Sequence, residues 1–229
     1  TKELRAEGGI ALHTSLDPFS RIWKDRPALP TDAVDIHPLQ YCGESCASKL
    51  TRIRAELKQR HANGMLVAAL DDIAWTLNLR GSDVHCNPVF VAYLLIDMRS
   101  TTLFINKEKL SKEVVEYLRG EGVLVSDYAD VKKALRNYQG YNILVDPSEI
   151  NYSLYSALPC VKVETVSPIP YMKAVKNDVV VEGFRNAMIR DGVAMVKFVY
   201  WLKTHPDVTT QSELSVSERL QRERGRQEK

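Results

Sequence analysis

The segment from Asp71 to Asp97, DDIAWTLNLRGSDVHCNPVFVAYLLID, limits what this chain can fold into more than any other stretch. Its second half, Val89 to Ile96, is a near-continuous apolar run with β-branched and aromatic residues, as expected of a strand covered on both faces. Ahead of it, Ile73, Ala74, Trp75 and Leu77 are apolar enough to anchor a chain reversal. Asn78, Arg80, Ser82, Asp83 and Asn87 then place five polar side chains within ten positions. Gly81 permits a backbone conformation closed to other residues. A polar loop delivered by a buried strand is where an α/β domain usually carries its functional surface. Taken singly, Asn78, Asp83 and Asn87 read as turn residues whose side chains satisfy backbone amides.

The surrounding pattern extends this to an α/β architecture with a mixed sheet flanked by helices. Ser45 to Ala62 carries Leu50, Ile53 and Leu57 at helical spacing, and Met65 to Leu70 follows as a buried strand. Val89–Ile96 and Thr101–Ile105 pair as a hairpin around Asp97–Ser100. Helices at 109–119, 129–138 and 151–158 alternate with strands at 123–125, 142–145 and 161–166. Upstream, Lys2 to Glu7 reads as a short helix and Ile10 to Leu12 as a strand. The stretch from Pro27 to Pro38 holds three prolines and little periodicity, so it reads as a linker with a boundary near residue 30. Beyond Pro168-Ile169-Pro170 the texture changes. Val180, Phe184, Ala187, Met188, Met195, Val199 and Leu202 recur at helical steps up to His205-Pro206, and Ser212 to Glu228 forms a second, charged helix.

Composition narrows the function classes. The 229 residues carry a net charge of +2, with acids interleaved among the bases, so nucleic acid is not an expected partner. No apolar run approaches the roughly 18 residues of a membrane span, and the charged N-terminus offers no export signal. Cys42, Cys46, Cys86 and Cys160 read as reduced thiols. No second pair follows Cys42 and Cys46 at zinc-finger spacing, and the five histidines form no metal-binding motif.

The block from Asp72 to Phe90, DIAWTLNLRGSDVHCNPVF, resembles D-E-I-A-W-x-x-N-L-R-G-S-D-x-x-x-N-P-V-F of cytosolic aminopeptidase P, the Xaa-Pro aminopeptidases. Two more matches accompany it: I-W-K-D-R-P at residues 22–27, and K-A-V-K-N at 173–177 followed by the helix through Ala187–Ala194. The resemblance implies the end of a first creatinase-like domain at 1–30, a middle creatinase-like α/β domain at 31–170, and the first helices of an incomplete pita-bread catalytic domain at 171–229. It implies a cytoplasmic metallopeptidase that removes the residue preceding proline from peptides with proline second. Two divalent metal ions, usually manganese, serve that reaction by generating a hydroxide at neutral pH. The family's metal motifs have no counterpart here, so no catalytic and no metal-binding residue is assigned, no metal is expected to bind this stretch, and the chain is expected to be inactive alone.

By the same resemblance Trp75, with Asn78 and Arg80 nearby, is placed at a substrate pocket, where an aromatic of the non-catalytic domain reaches a neighbouring subunit. The competing reading of Trp75 is plain core. Arg80 reads either as a fork for a carboxylate or as half of a structural salt bridge. A homodimer, or association with the rest of the catalytic domain, is expected, because the long helix would otherwise leave its apolar face uncovered. The alternative from another class is a non-catalytic pita-bread module that binds peptides or histones.

Overall fold

A computed structural model describes residue 8 and residues 16–226. The expected Lys2–Glu7 helix, the Ile10–Leu12 strand and the tip of the last helix lie outside the described residues. Two compact units divide at Pro30/Thr31. In the first, α1 (Phe19–Ile22) follows Asp17, whose carboxylate accepts from the Phe19 amide at 3.1 Å, and the Arg26 guanidinium stacks 5.7 Å from the Trp23 ring.

The second unit runs β1 (Asp35–Ile36), α2 (Leu39–Cys42), α3 (Cys46–Gln59), β2 (Gly64–Val67), α4 (Leu70–Leu77), β3 (Leu79–Arg80), β4 (Ala92–Asp97), β5 (Thr101–Ile105), α5 (Lys112–Gly120), β6 (Leu124–Asp127), α6 (Val131–Arg136), β7 (Asn142–Val145), α7 (Tyr152–Ala157), β8 (Val161–Glu164), α8 (Ile169–Ala174), α9 (Asp178–Thr204) and α10 (Glu213–Gly225). Among the described residues, six strands form one mixed sheet in the order β6-β5-β4-β2-β7-β8, antiparallel at β5/β4 and β4/β2 and parallel elsewhere. β1 and β3 make a separate antiparallel ribbon, pairing Asp35 with Arg80 and Ile36 with Leu79.

Side-chain alternation sorts the strands onto two cores. Met65, Val67, Leu94, Ile96 and Leu103 face the layer of α3, α4 and α5, where Leu50, Ile53, Ile73, Leu77 and Leu118 are fully buried. Leu66, Phe104, Ile143 and Val145 face α6 and α7, with Leu135 and Leu154. In β4, Ala92, Leu94 and Ile96 are buried while Tyr93 and Leu95 lie half-buried on the second core, so the apolar run is covered on both faces as expected.

Several local expectations change. The reversal at the start of the Asp71–Asp97 segment is a two-turn helix, α4. Its Leu70, Ile73, Ala74 and Leu77 follow helical spacing, and Asp71 and Asp72 sit in the first turn, where the helix dipole favours anions. The strand expected to run to Leu70 therefore stops at Val67. The helix expected from Lys109 is broken. A 3-10 turn covers Lys107–Lys109, Leu110 is extended and bridges to Val34, and Ser111 caps a fresh start by accepting from the Val114 amide at 3.2 Å. Within the proline-rich stretch read as linker, Val34 is buried in the core and leads into β1. Gly81 does not adopt a positive φ; a Cβ there would lie 2.8 Å from the Cβ of Phe90, so close approach is what excludes a side chain.

Candidate functional site

The reversal after α4 is made by Asn78, which takes the left-handed conformation at φ 51°, tolerated by Asn better than by most residues. Its buried amide is bonded at both ends: Nδ2 donates to the Glu44 carbonyl at 2.8 Å and Oδ1 accepts from Lys49 Nζ at 2.5 Å. Lys49 also donates to the Trp75 carbonyl at 2.8 Å and lies 4.4 Å from the centre of the Trp75 ring. This lysine is 2% exposed, and burial pulls its pKa down to about 8. The C-terminal turn of α4 is thus held by a buried ammonium that binds a helix-end carbonyl and an aromatic face together.

The loop from Gly81 to Phe90 is fixed from beneath. Asp83 Oδ2 accepts from the Val91 amide at 2.6 Å and from Lys109 Nζ, and both charged side chains are essentially inaccessible. Ser82 bonds Asp32 at 2.9 Å, and Val84–Asn87 closes a tight turn with Cys86 at φ 60°. The polar residues of this block accordingly divide. Asn78 and Asp83 hold backbone, whereas Trp75, Arg80 and Asn87 line a cavity of about 390 Å³.

The other wall of that cavity comes from distant sequence. His37 and Tyr41 stack at 5.9 Å, and Lys173, Val180 and Phe184 belong to α8 and α9. The two helices are tied to the rest. Lys173 Nζ binds Asp72 at 2.7 Å and also Asp71, at the N-terminus of α4, and Asn177 Nδ2 donates to the Cys42 carbonyl at 2.8 Å while its Oδ1 caps α9 at 2.9 Å from the Val180 amide. Burial raises the Asp72 carboxyl despite Lys173. In the more open Asp71, the opposing bond and charge of Lys173 outweigh burial and hold the carboxyl low.

Arg80 is half-buried. Its Nη1 donates to the carbonyls of Ala74 at 3.2 Å and Leu79 at 2.8 Å, and no carboxylate among the described residues is within ion-pair distance. The salt-bridge alternative is therefore replaced by bonds to backbone. Trp75 is half-buried: it packs against the core edge and also lines the cavity. Burial lowers the pKa of His37, reinforced by the charges of Arg80 and Lys49. Lys49 was missed by sequence reasoning. The signal was there, since it lies on the buried stripe of α3 with Cys46, Leu50, Ile53 and Leu57.

A mixed sheet between two helical layers, with a cavity at the end of its two-turn helix, defines an α/β domain of the creatinase/prolidase type. The chain belongs to the Creatinase/Prolidase N-terminal domain family, which it matches over residues 25–180. It is 36% identical over 217 residues to Aminopeptidase P1 of Arabidopsis thaliana, covering 82% of this chain and 34% of that protein. It is likewise 36% identical over 219 residues to Xaa-Pro aminopeptidase 1 of Dictyostelium discoideum, covering 90% and 34%. The X-prolyl aminopeptidase of Caenorhabditis elegans, described as a cytosolic enzyme with a di-nuclear active site, superposes with a TM-score of 0.85 at 28% identity over 92% of this chain and 36% of that one. The chain spans about a third of the length of the relatives it matches.

Proposed function

We propose that this chain is the creatinase-like part of a Xaa-Pro aminopeptidase, an enzyme that removes the N-terminal residue from peptides with proline second. The observation that carries the reading is the 36% identity to Xaa-Pro aminopeptidase 1 over 90% of the chain. In this reading residues 1–30 end a first domain, 31–170 form the middle domain and 171–229 begin the catalytic one, in a cytoplasmic enzyme. Trp75 and Arg80 contribute a wall to the substrate pocket, and Asn78 holds the turn between them.

The complete enzyme would use two divalent metal ions, manganese by preference. The residues of this chain do not fit such a centre: among the described residues no three His, Cys, Asp or Glu side chains gather to hold a metal. What the chain supplies is positioning. The rigid α4 turn presents an aromatic face, and Arg80 presents a guanidinium beside it.

The test compares two proteins under one assay. A chain extended to the length of its relatives, given manganese and an Xaa-Pro peptide, is expected to release the N-terminal residue, and the 229-residue chain to release none. Robust turnover by the shorter chain, or none by the longer one, overturns the reading.

A further inference from the structure

We propose that the cavity beside Trp75 is an anion seat, taking the free carboxylate of a short peptide on the open edge of Arg80 with the ligand's apolar body against Trp75, Val180 and Phe184. The proposal rests on the reading of Trp75 and Arg80 as a substrate-pocket wall and names the chemistry that wall selects.

The charge balance of the lining carries it. Lys49, Arg52, Arg80, Lys173 and Lys176 face carboxylates only from Glu44 and Asp71. Arg52 takes Glu44 at 2.7 Å, and Lys173 takes Asp71. Lys49, Arg80 and Lys176 are left with no carboxylate within ion-pair distance among the described residues. Two of these are withdrawn from water: Lys49 is buried and Arg80 is half-buried. A buried cation without a counter-charge is costly, and an anion entering beside it regains that cost in a medium of low dielectric constant.

Geometry selects the kind of anion. Arg80 spends Nη1 on two carbonyls, and its Nε and Nη2 have no partner among the described residues. That edge presents two parallel N–H donors, which match the two oxygens of a carboxylate. Tyr41, Trp75, Val180 and Phe184 make the remaining wall apolar, so an acid with an apolar flank fits better than a bare ion. Burial is the main cause of the lowered pKa values of Lys49 and His37, and the charge of Arg80 adds to both.

The experiment titrates the ¹⁵N-labelled chain and follows the Trp75 indole resonance, assigned with Trp75→Phe. The probes are N-acetylphenylalanine and its amide, then Ala-Pro-Phe and its C-terminal amide. Each acid is expected to bind about tenfold or more tightly than its amide, the difference one charge-assisted bond makes. Arg80→Gln should bring the acids down to the amides and leave the amides unchanged. Equal binding of acid and amide, no saturable shift with any probe, or unaltered acid binding in Arg80→Gln overturns the proposal. Should Arg80→Gln fail to fold, the acid–amide comparison on the native chain decides alone. N-acetylphenylalanine contains no Xaa-Pro bond, so its binding is unaffected if the peptidase reading fails, and the two failures are distinguishable.

Discussion

The central sheet and the long helix α9 both carry apolar residues in regular patterns and end in opposite states. Leu94, Leu103 and Leu144 in the sheet are wholly buried. In α9 only Ala194 and Phe198 are buried, while Phe184 is 56% exposed, Met188 68%, Val196 71% and Tyr200 70%. α10 covers one side of that helix, through Arg224–Asp191 at 2.7 Å and Arg219 stacked 5.2 Å from Trp201, and α2 touches its start. An apolar pattern thus reports that a face is made to be covered, and only the fold tells whether this chain covers it.

The contrast can be attacked from either side. The largest effect is expected at the buried pair under the loop. Lys109→Met leaves Asp83 charged, buried and without its counter-ion, costing about 3–5 kcal/mol in urea unfolding. A loss under about 1 kcal/mol would show that the loop is not anchored there. Next, Gly81→Ala sets a methyl against Phe90 and should cost about 1–3 kcal/mol with no change in the unfolding slope.

A smaller effect concerns Lys49, which is surrounded by Glu44, Arg80, His37, Trp75, Asn78 and the thiols of Cys42 and Cys46. Folding lowers its pKa from 10.5 to about 8, so between pH 8 and 9 the unfolded chain holds more protons at this site. Its contribution to stability therefore rises with pH across that window. Cys46, held up near 12 by burial, acts with the opposite sign once the unfolded thiol ionises. The difference in stability between the native chain and Lys49→Met isolates the lysine. It is expected to tilt in favour of the native chain from pH 8 to 9, and a flat difference refutes the assignment.

The smallest change in stability, under about 0.5 kcal/mol, is expected for Met188→Ser with Val196→Ser on α9. Light scattering is the sharper readout there. The native chain should associate and the double variant should remain monomeric, and a native chain that stays monomeric at high concentration contradicts the association expected from the sequence.

Much of the sheet was legible because its strands carry their own punctuation. Asn142–Val145 was bounded by Asp146-Pro147, and the hairpin by Asp97, whose carboxylate collects the amides of Arg99 and Ser100 at 2.6 and 2.7 Å. The helix α4 escaped because two turns give too few repeats to separate a helix from a reversal, and α8 because Pro168 and Pro170, which suit a helix's first turn, read equally as breakers. At the site, Trp75 and Arg80 could be named from one contiguous block. Their partners could not, since Lys49, Lys173 and Phe184 arrive from elements that only tertiary packing brings together.

The helix that carries Trp75 is about 12 Å long, by its eight residues, and it is bolted at both ends. Lys173 grips the carboxylates of its first turn, and Lys49 grips the carbonyl and ring of its last. A crossbar fastened in this way cannot spin on its own axis. Lys173 belongs to the segment 169–176, so one ion pair joins that segment to the helix whose other end sets the indole in the cavity wall.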